Sequence, residues 1–344
     1  MKLATIRNGK PDGQLVVVSR DLTRATNASD LASTLQDALD GWEGTQPLLQ
    51  RRFEQLEQRS IADFRLDPFG CAAPLPRAYQ WCDGSAFLHH GRLMERAFKH
   101  PPRENFETIP LLYQGGSDDF LGPHDDVALP SEEDGIDFEG EFVVITGRVP
   151  MGVSPKEALN HVALIGQAND WSLRSLIPRE INSGFGFFQS KPSTSFAPVV
   201  VTPDELGTTW RDGRVTLDLH VEWNGQWFGQ PNGAEMHFSF GDLISHAART
   251  RNLGAGTIIG SGTVSNSRSS AGSACISEKR VMEVISLGAP STPFMRFGDR
   301  VRMSARDANG VIPFGVIDQE VIKLKSARTT GAKPAFPHRP APGL

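Results

Sequence analysis

The spacing of apolar residues predicts strands near the amino terminus. Residues 2–6 largely alternate, residues 15–18 are all apolar, and a Gly-Lys-Pro-Asp-Gly run lies between them. Glycine, proline and aspartate form turns readily, and two such runs joined by a turn are typical of a β-hairpin. We therefore predict a hairpin over residues 2–18.

Between residues 29 and 60 the spacing changes to one that is typical of helices. Apolar residues recur in two runs: Leu31, Leu35 and Leu39, and then, after Gly44 and Pro47, Leu49, Phe53 and Leu56. The pattern predicts two amphipathic helices. Residues 72–77 are predicted to form an extended linker, because each proline fixes its own φ and disfavours helix in the residue before it. A small amino-terminal domain is therefore predicted over residues 1–72.

Strand and turn patterns dominate from residue 73 to about residue 325. Apolar and β-branched runs predict strands at 142–145, 199–201, 215–221 and 311–317. We predict a second domain over residues 73–327. The remaining residues, 328–344, are rich in proline and basic residues with little to bury, so they are predicted to form a mobile tail.

Two helices are predicted within this second domain. The first covers residues 154–165 and opens with a capping box between Ser154 and Glu157. The second covers residues 240–252 and is closed by Gly254. Helices are thus fewer than strands in this part of the chain.

Composition and charge exclude several classes of function. The 344 residues carry a net charge of -5 without a basic block, which argues against nucleic-acid binding. No run approaches the roughly 20 apolar residues that a membrane-spanning helix needs, and the first residues do not form a signal-peptide core. Three cysteines without a CxxC pair indicate reduced thiols. We expect a soluble, cytoplasmic protein.

A pair of glutamates is the first candidate for chemistry. Glu139 and Glu141 are separated by one residue in a run that reads as a strand. Side chains alternate on a strand, so the two carboxylates point to the same side, about 7 Å apart at the backbone. They can converge on one hard cation. A solvated acidic edge, shared with the neighbouring Glu132 and Glu133, explains the same spacing.

Two further patterns are unremarkable when each is taken alone. Asn169-Asp170-Trp171 reads as a turn or as the start of a helix. Asp83 precedes His90 by seven residues, and both can be ordinary surface residues. Neither pattern by itself identifies a site.

In their order along the chain, these patterns resemble the fumarylacetoacetate hydrolase family. The matching motifs are Asp83 followed by His90, Tyr113-Gln114-Gly115, Glu139-Gly140-Glu141, Asn169-Asp170-Trp171-Ser172-Leu173-Arg174, Lys191, and Gly262-Thr263. They extend over about residues 73 to 325. The resemblance implies a bacterial-type member with an α+β, β-rich fold, in which a larger mixed β-sheet domain comes after a small amino-terminal α+β domain. It also implies a homodimer.

The resemblance implies a metal site formed by four carboxylates: Asp83, Glu139, Glu141 and Asp170. The expected ion is Mg²⁺ or Ca²⁺, with Mn²⁺ as an alternative. Oxygen-only ligation suits hard divalent cations, and no Cys–His cluster in the sequence points to zinc.

The implied reaction is hydrolysis of a carbon–carbon bond in a 1,3-diketo acid, fumarylacetoacetate- or acylpyruvate-like, in the catabolism of aromatic compounds or aromatic amino acids. By the resemblance, His90 is the general base, Glu278 its partner and Lys191 the donor to the oxyanion. The residues implied to hold substrate oxygens are Tyr113, Arg174 and Thr263.

Each of these assignments has a plainer alternative. His90 and His89 can be a surface pair, Lys191 an ordinary loop lysine, and Arg174 the partner of a nearby acid such as Glu180.

Three positions depart from the family pattern. Ser85, Ile177 and Ile181 stand where the family's animal enzyme has polar contacts. The distal part of the substrate is therefore expected to differ or to be held by other groups, such as Gln189. A decarboxylase of 2-oxo acids, an isomerase or a sugar-acid dehydratase on the same scaffold is the alternative activity, and a non-enzymatic binding module is a third class.

Overall fold

The computed structural model describes residues 1–98 and 104–325. The tail predicted over residues 328–344 lies outside these residues. No helix within the described part of the chain is long and apolar enough to cross a membrane.

Most elements within the described residues are short strands. In chain order the strands are β1 Lys2–Ile6, β2 Gln14–Val18, β3 Arg24–Asn27, β4 Phe64–Arg65, β5 Trp81–Gly84, β6 Leu112–Gly115, β7 Val127–Leu129, β8 Ile136–Asp137, β9 Gly140–Thr146, β10 Val162–Asn169, β11 Ser172–Leu173, β12 Ser195–Phe196, β13 Val199–Val201, β14 Trp210–Arg211, β15 Arg214–Val215, β16 Asp218–Trp223, β17 Gln226–Gly229, β18 Ile258–Gly260, β19 Arg300–Arg306 and β20 Ile317–Lys323. The helices are α1 Leu35–Asp40, α2 Trp42–Glu57, α3 Leu88–Phe98, α4 Pro155–Ala158, α5 Ile177–Ser183, α6 Pro203–Leu206, α7 Phe240–Ala247 and α8 Ile276–Leu287.

One large mixed sheet organises the molecule. Its strand order is β4-β3-β2-β1-β13-β10-β9-β18-β5-β6, with β12 attached to β10. The predicted hairpin over residues 2–18 is confirmed, since β1 and β2 pair antiparallel. Strand β1 also pairs with β13, so the amino-terminal segment extends the sheet of the rest of the chain. The domain boundary near residue 73 stays a prediction.

The centre of this sheet is apolar on both faces. All seven residues of β9 are buried, because one face packs in the same core as the five-stranded sheet β17-β16-β19-β20-β7 and the other packs with α1 and α2. Gly140 begins β9, and a Cβ there would lie 2.6 Å from a methyl carbon of Leu219. The absence of a side chain at Gly140 therefore lets β9 approach β16 closely.

The predicted helix at residues 154–165 is wrong in its second half. The capping box between Ser154 and Glu157 is present, but α4 ends at Ala158 and a single 3₁₀ turn leads into β10. Residues 162–165 instead pair with β9 and are buried. A capping box specifies only where a helix begins, whereas strand pairing determines the conformation of the residues beyond Ala158.

Other element ends also differ from the predictions. Helix α1 starts at Leu35, capped by Thr34, so Leu31 lies outside it, and α2 starts ahead of Gly44 and Pro47. Helix α7 ends at Ala247. The strand predicted at 311–317 is displaced to β20, which begins at Ile317. Pro313 cannot donate a ladder hydrogen bond and Gly315 has φ of 82°, so both oppose a strand there.

Candidate active site

Strands β5, β9 and β10 of the large sheet bring three of the four predicted carboxylates together. Asp83 lies in β5, Glu141 in β9 and Asp170 directly after β10. Strand β18 separates β5 from β9, and its Gly260 pairs with Asp83. A Cβ at Gly260 would lie 2.2 Å from Asp83 Oδ1. The missing side chain is what makes room for this carboxylate, and no motif in the sequence singled out Gly260.

The carboxylates of Asp83, Glu141 and Asp170 form a compact buried group. One oxygen from each lies within 4.8 Å of the others, and the residues are 4%, 0% and 0% exposed. Both side-chain oxygens of Glu141 lack a hydrogen-bond partner within the described structure. Burial and the charge of Asp83 raise the pKa of Glu141 well above its usual value. Burial and Asp170 raise the pKa of Asp83 to about 8.

This group fits a hard divalent cation. Buried carboxylates without partners are costly, because each loses its hydration without gaining a replacement. A cation with oxygen ligands would offset the repulsion between the three carboxylates and would give their oxygens a partner. Asp83, Glu141 and Asp170 would hold such an ion.

Glu139 has different neighbours from the other three predicted ligands. Its Oε1 accepts from Arg174 Nη2 and its Oε2 from Lys191 Nζ, both at 2.6 Å. Burial alone would raise the pKa of Glu139, but Lys191 and Arg174 outweigh it and hold that pKa well below the usual value. Glu139 is therefore a charged carboxylate beside the group, and its role as a metal ligand stays a prediction.

Asp170 is the most highly bonded of the four carboxylates. Its Oδ2 accepts from Tyr113 Oη at 2.6 Å and from Lys191 Nζ at 2.7 Å, while Oδ1 accepts from Thr194 Oγ1 at 2.7 Å. Burial disfavours a charged lysine, yet Asp170 and Glu139 raise the pKa of Lys191. The ammonium thus offsets part of the negative charge. Sequence reasoning missed Thr194, which carries no motif signal.

A histidine–glutamate pair stands beside the carboxylates. His90 in α3 places Nδ1 3.0 Å from Oε2 of Glu278, which is fully buried in the first turn of α8. With Glu278 ionised, Nδ1 carries the proton and donates it, so Nε2 keeps its lone pair. The expected contact between these two residues is present.

Arg174 connects Glu139 with Asp137, which contacts the helix that carries Glu278. Its Nε donates to Asp137 Oδ2 at 2.7 Å, in addition to the bond from Nη2 to Glu139. Asp137 also accepts the backbone N–H groups of Ile276 and Ser277, at 2.7 and 2.9 Å, and so caps the helix that carries Glu278. Sequence reasoning gave Asp137 no role, although it lies two residues before Glu139.

The alternative partner for Arg174, Glu180, is engaged elsewhere. Its carboxylate accepts the backbone N–H groups of Phe188, Gln189 and Ser190. Gln189, a candidate for the distal substrate contact, is exposed and does not line the cavity.

Several of these residues line a cavity of about 230 Å³. Its polar side includes Asp83, His90, Glu139, Arg174 and Lys191, whereas Glu141, Asp170 and Glu278 lie behind its lining. Its apolar side is formed by Met94, Leu111, Leu112, Ile177, Ile181 and Phe187. Ser85, Tyr113 and Thr263 also line it. The described structure therefore places Tyr113, Arg174 and Thr263 at this cavity, although the polar groups of Tyr113 and Arg174 already have protein partners.

Comparison with known proteins identifies the family. The family model described as fumarylacetoacetate (FAA) hydrolase C-terminal matches residues 80–322, and that described as fumarylacetoacetase N-terminal domain 2 matches residues 1–77. The chain belongs to the fumarylacetoacetate hydrolase family. This confirms the resemblance and the expected fold, a small amino-terminal domain and then a larger mixed-sheet domain.

Curated relatives in this family differ in activity. A 2,4-didehydro-3-deoxy-L-rhamnonate hydrolase from Sphingomonas sp. (strain SKA58) is 31% identical over 159 residues, 45% of this chain and 53% of that protein. The human mitochondrial oxaloacetate tautomerase FAHD2B is 26% identical over 157 residues, 45% of this chain and 48% of that protein. The chain thus spans about half the length of these two relatives.

A solved structure extends the comparison to the fold. Maleylpyruvate hydrolase from Sphingobium sp. SYK-6, in complex with manganese(II) and pyruvate, aligns with a TM-score of 0.64 at 16% identity. The alignment covers 94% of this chain and all of that one. At this identity the likeness demonstrates a shared fold.

Proposed function

We propose that this member of the fumarylacetoacetate hydrolase family hydrolyses a carbon–carbon bond in a 1,3-diketo acid, with one divalent cation as cofactor. The observation that carries the proposal is that the buried group of Asp83, Glu141 and Asp170 and the His90–Glu278 pair reach one cavity, the first through Asp83 and the second through His90. Such a hydrolysis needs a cation that polarises the substrate carbonyl and a base that takes a proton from water.

The proposed cofactor is Mg²⁺, Ca²⁺ or Mn²⁺. Such an ion acts as a Lewis acid toward carbonyl oxygens when it is bound. The manganese in the similar maleylpyruvate hydrolase supports this choice, as does the oxygen-only donor set of the carboxylate group.

His90 is proposed to take the proton from the attacking water. Nδ1 of His90 donates its proton in a hydrogen bond to Glu278, so Nε2 is the nitrogen that can accept a proton from water. The buried carboxylate then balances the charge of the imidazolium. General-base catalysis of this kind contributes about 10²- to 10⁴-fold to the rate.

Lys191 is proposed to stabilise the oxyanion that forms after water attack. Two of its three N–H donors are directed at Glu139 and Asp170, which leaves one donor for the substrate. Arg174, bound to Asp137 and Glu139, is proposed to orient the site in addition to its predicted substrate contact. Thr263 and Tyr113 remain the proposed contacts to substrate oxygens.

A second candidate activity is supported by the similarity to oxaloacetate tautomerase. The same cation and cavity suit the interconversion or decarboxylation of a 2-oxo acid, which needs no attacking water. His90 separates hydrolysis from decarboxylation, because hydrolysis depends on a base for water and decarboxylation does not. Tautomerisation also moves a proton, so it is told apart from hydrolysis by its product, which keeps every carbon–carbon bond.

The test uses metal-depleted protein and a panel of 1,3-diketo and 2-oxo acids, with and without Mg²⁺. Wild type, His90→Ala and the matched control His89→Ala are compared, since His89 contacts Ser265 instead of Glu278. Hydrolysis is expected to need metal and to fall at least 10²-fold in His90→Ala only. A His90→Ala variant that cleaves a diketo acid at the wild-type rate would overturn the proposed mechanism.

We further propose a cytoplasmic homodimer. The net charge and the sequence pattern support solubility, and a two-fold dimer is the commonest oligomer. Light scattering of the purified protein decides the oligomeric state.

A further inference from the structure

Three donor atoms of different chemistry meet behind the face of His90 that lines the cavity. A ring nitrogen of His90, the Sγ of Cys275 and a carboxylate oxygen of Glu278 all lie within 4.8 Å of one another. Cys275 is fully buried at the N-cap of α8, where its sulfur accepts the backbone N–H of Glu278 at 3.4 Å. The proposed hydrolysis makes no use of this thiol.

Glu278 supplies a second, independent observation. Its Oε2 is bonded to His90 Nδ1, but its Oε1 is buried and has no hydrogen-bond partner within the described residues. A buried carboxylate oxygen without a partner is costly. The cluster therefore has an unmet requirement for a positive centre or a donor.

The geometry points to an inhibitory zinc site formed by His90, Cys275 and Glu278. Imidazole nitrogen, thiolate sulfur and carboxylate oxygen are the ligand types that zinc prefers, and a thiolate ligand distinguishes this site from the oxygen-only group. Zinc bonds of about 2.0–2.3 Å place neighbouring ligand atoms roughly 3.3–3.8 Å apart. The separations in the cluster are close enough for side-chain rotation to reach that spacing.

The surrounding charges favour a cation here. Burial, together with the charges of Asp137, Glu278 and Glu139, raises the pKa of the Cys275 thiol well above its usual value, against the opposing effect of Arg174. The three carboxylates outnumber the two cations bound to them, Arg174 and Lys191.

Zinc at this position would inhibit by changing the tautomer of His90. Coordination through Nδ1 requires the proton that is now donated to Glu278 to move to Nε2 by exchange with solvent, and the Cys275 thiol proton is released to solvent. A neutral imidazole bound through Nδ1 carries its one proton on Nε2. Nε2 then cannot accept a proton from water. This consequence rests on the proposed function, whereas the binding of zinc does not.

The first test titrates Zn²⁺ into full-length protein saturated with Mg²⁺ and measures the rate of hydrolysis. Cys275→Ser keeps an N-cap oxygen for α8 and should leave basal activity unchanged. Cys71→Ser is the matched control, because Cys71 is equally buried but lies outside the cluster. Inhibition should weaken at least tenfold in Cys275→Ser and persist in Cys71→Ser. Equal inhibition of all three proteins would place zinc at the carboxylate group and overturn the inference.

The second test is spectroscopic and needs no substrate. Co²⁺ added to the Mg²⁺-saturated protein should give a thiolate-to-cobalt charge-transfer band in wild type and in Cys71→Ser, but not in Cys275→Ser. Failure to see the band in wild type refutes the site, whatever the activity. A band in a protein that hydrolyses no diketo acid would support the metal site and refute the proposed function.

Discussion

Replacing Glu141 with glutamine should abolish the stabilisation of this protein by divalent cations. Glu141 is fully buried, both of its carboxylate oxygens lack a hydrogen-bond partner in the described structure, and Asp83 and Asp170 lie close by. A cation bound to this group prefers the folded state, because the three strands assemble the ligands only on folding. The amide of glutamine removes one charge and cannot chelate in the same way.

The size of the effect is set by linkage. At a metal concentration of 100 times Kd, binding adds about 2.7 kcal/mol to the free energy of unfolding. A change of 1 kcal/mol moves Tm by roughly 2–4 °C in a chain of 150–250 residues, and by less in a longer one. For wild type we therefore expect a rise in Tm of about 5 °C, and for Glu141→Gln a rise near zero.

Differential scanning calorimetry with Mg²⁺, Ca²⁺ or Mn²⁺, against chelator, measures these shifts. Glu133→Gln is the matched control, because Glu133 is exposed in the same segment of the chain and should keep the full wild-type shift. Metal-free Glu141→Gln should unfold at a higher temperature than metal-free wild type near pH 8, since the buried carboxylate is gone. A full metal-linked shift in Glu141→Gln would refute the placement of the cation.

Three further predictions concern the same site. The stability of the metal-free protein should fall as the pH rises from about 3.8 to about 8. The pKa of Asp83 is about 8 in the folded protein and 3.8 in the unfolded chain, so the stability that its protonated form provides is complete below pH 3.8 and is lost as the pH passes 8. A calorimetric pH series with a flat Tm would contradict this. Glu278→Gln should lower kcat about 10²- to 10⁴-fold with KM little changed, because the neutral amide no longer balances the imidazolium charge and its NH₂ group can donate to Nδ1 and favour the other tautomer of His90. Steady-state kinetics decide, and an unchanged kcat would refute the role of the pair. Asp137→Asn should destabilise the protein, by up to about 3–5 kcal/mol, since it removes one of the two buried carboxylates that pair with Arg174. Urea unfolding measures the loss, and a loss below 1 kcal/mol would contradict it.

The motif order included the three carboxylates that form the buried group, but it did not predict that Glu139 would differ from them. Glu139 precedes β9 and lies in no strand, so the alternation expected for Glu139 and Glu141 stays a prediction. Arg174 and Lys191 then bind Glu139, while Glu141 is left without partners. That division depends on where two cations from later in the chain come to lie, which local spacing does not contain.

Contacts between distant parts of the chain were the least predictable. Asp137 caps a helix that starts 139 residues later, and no periodic pattern links the two. Cys275 was interpreted as one of three ordinary thiols, since the sequence has no Cys–His cluster, yet the packing of α3 against α8 brings it to His90. The error at residues 162–165 has the same origin: pairing with β9 overrides the helix start at Ser154.

Arg174 couples the carboxylate group mechanically to the histidine–glutamate pair. Its Nη2 donates to Glu139, beside the carboxylate group, and its Nε donates to Asp137. Asp137 in turn accepts backbone N–H groups in the first turn of α8, the helix that carries Glu278. All three side chains are buried, and a forked guanidinium permits little change in the angle between its partners. The separation of His90 from the proposed cation is therefore set by the protein before substrate arrives. A preset distance between base and Lewis acid suits a reaction in which water must attack a carbonyl held at that cation, and this favours hydrolysis over an activity that requires the cation alone.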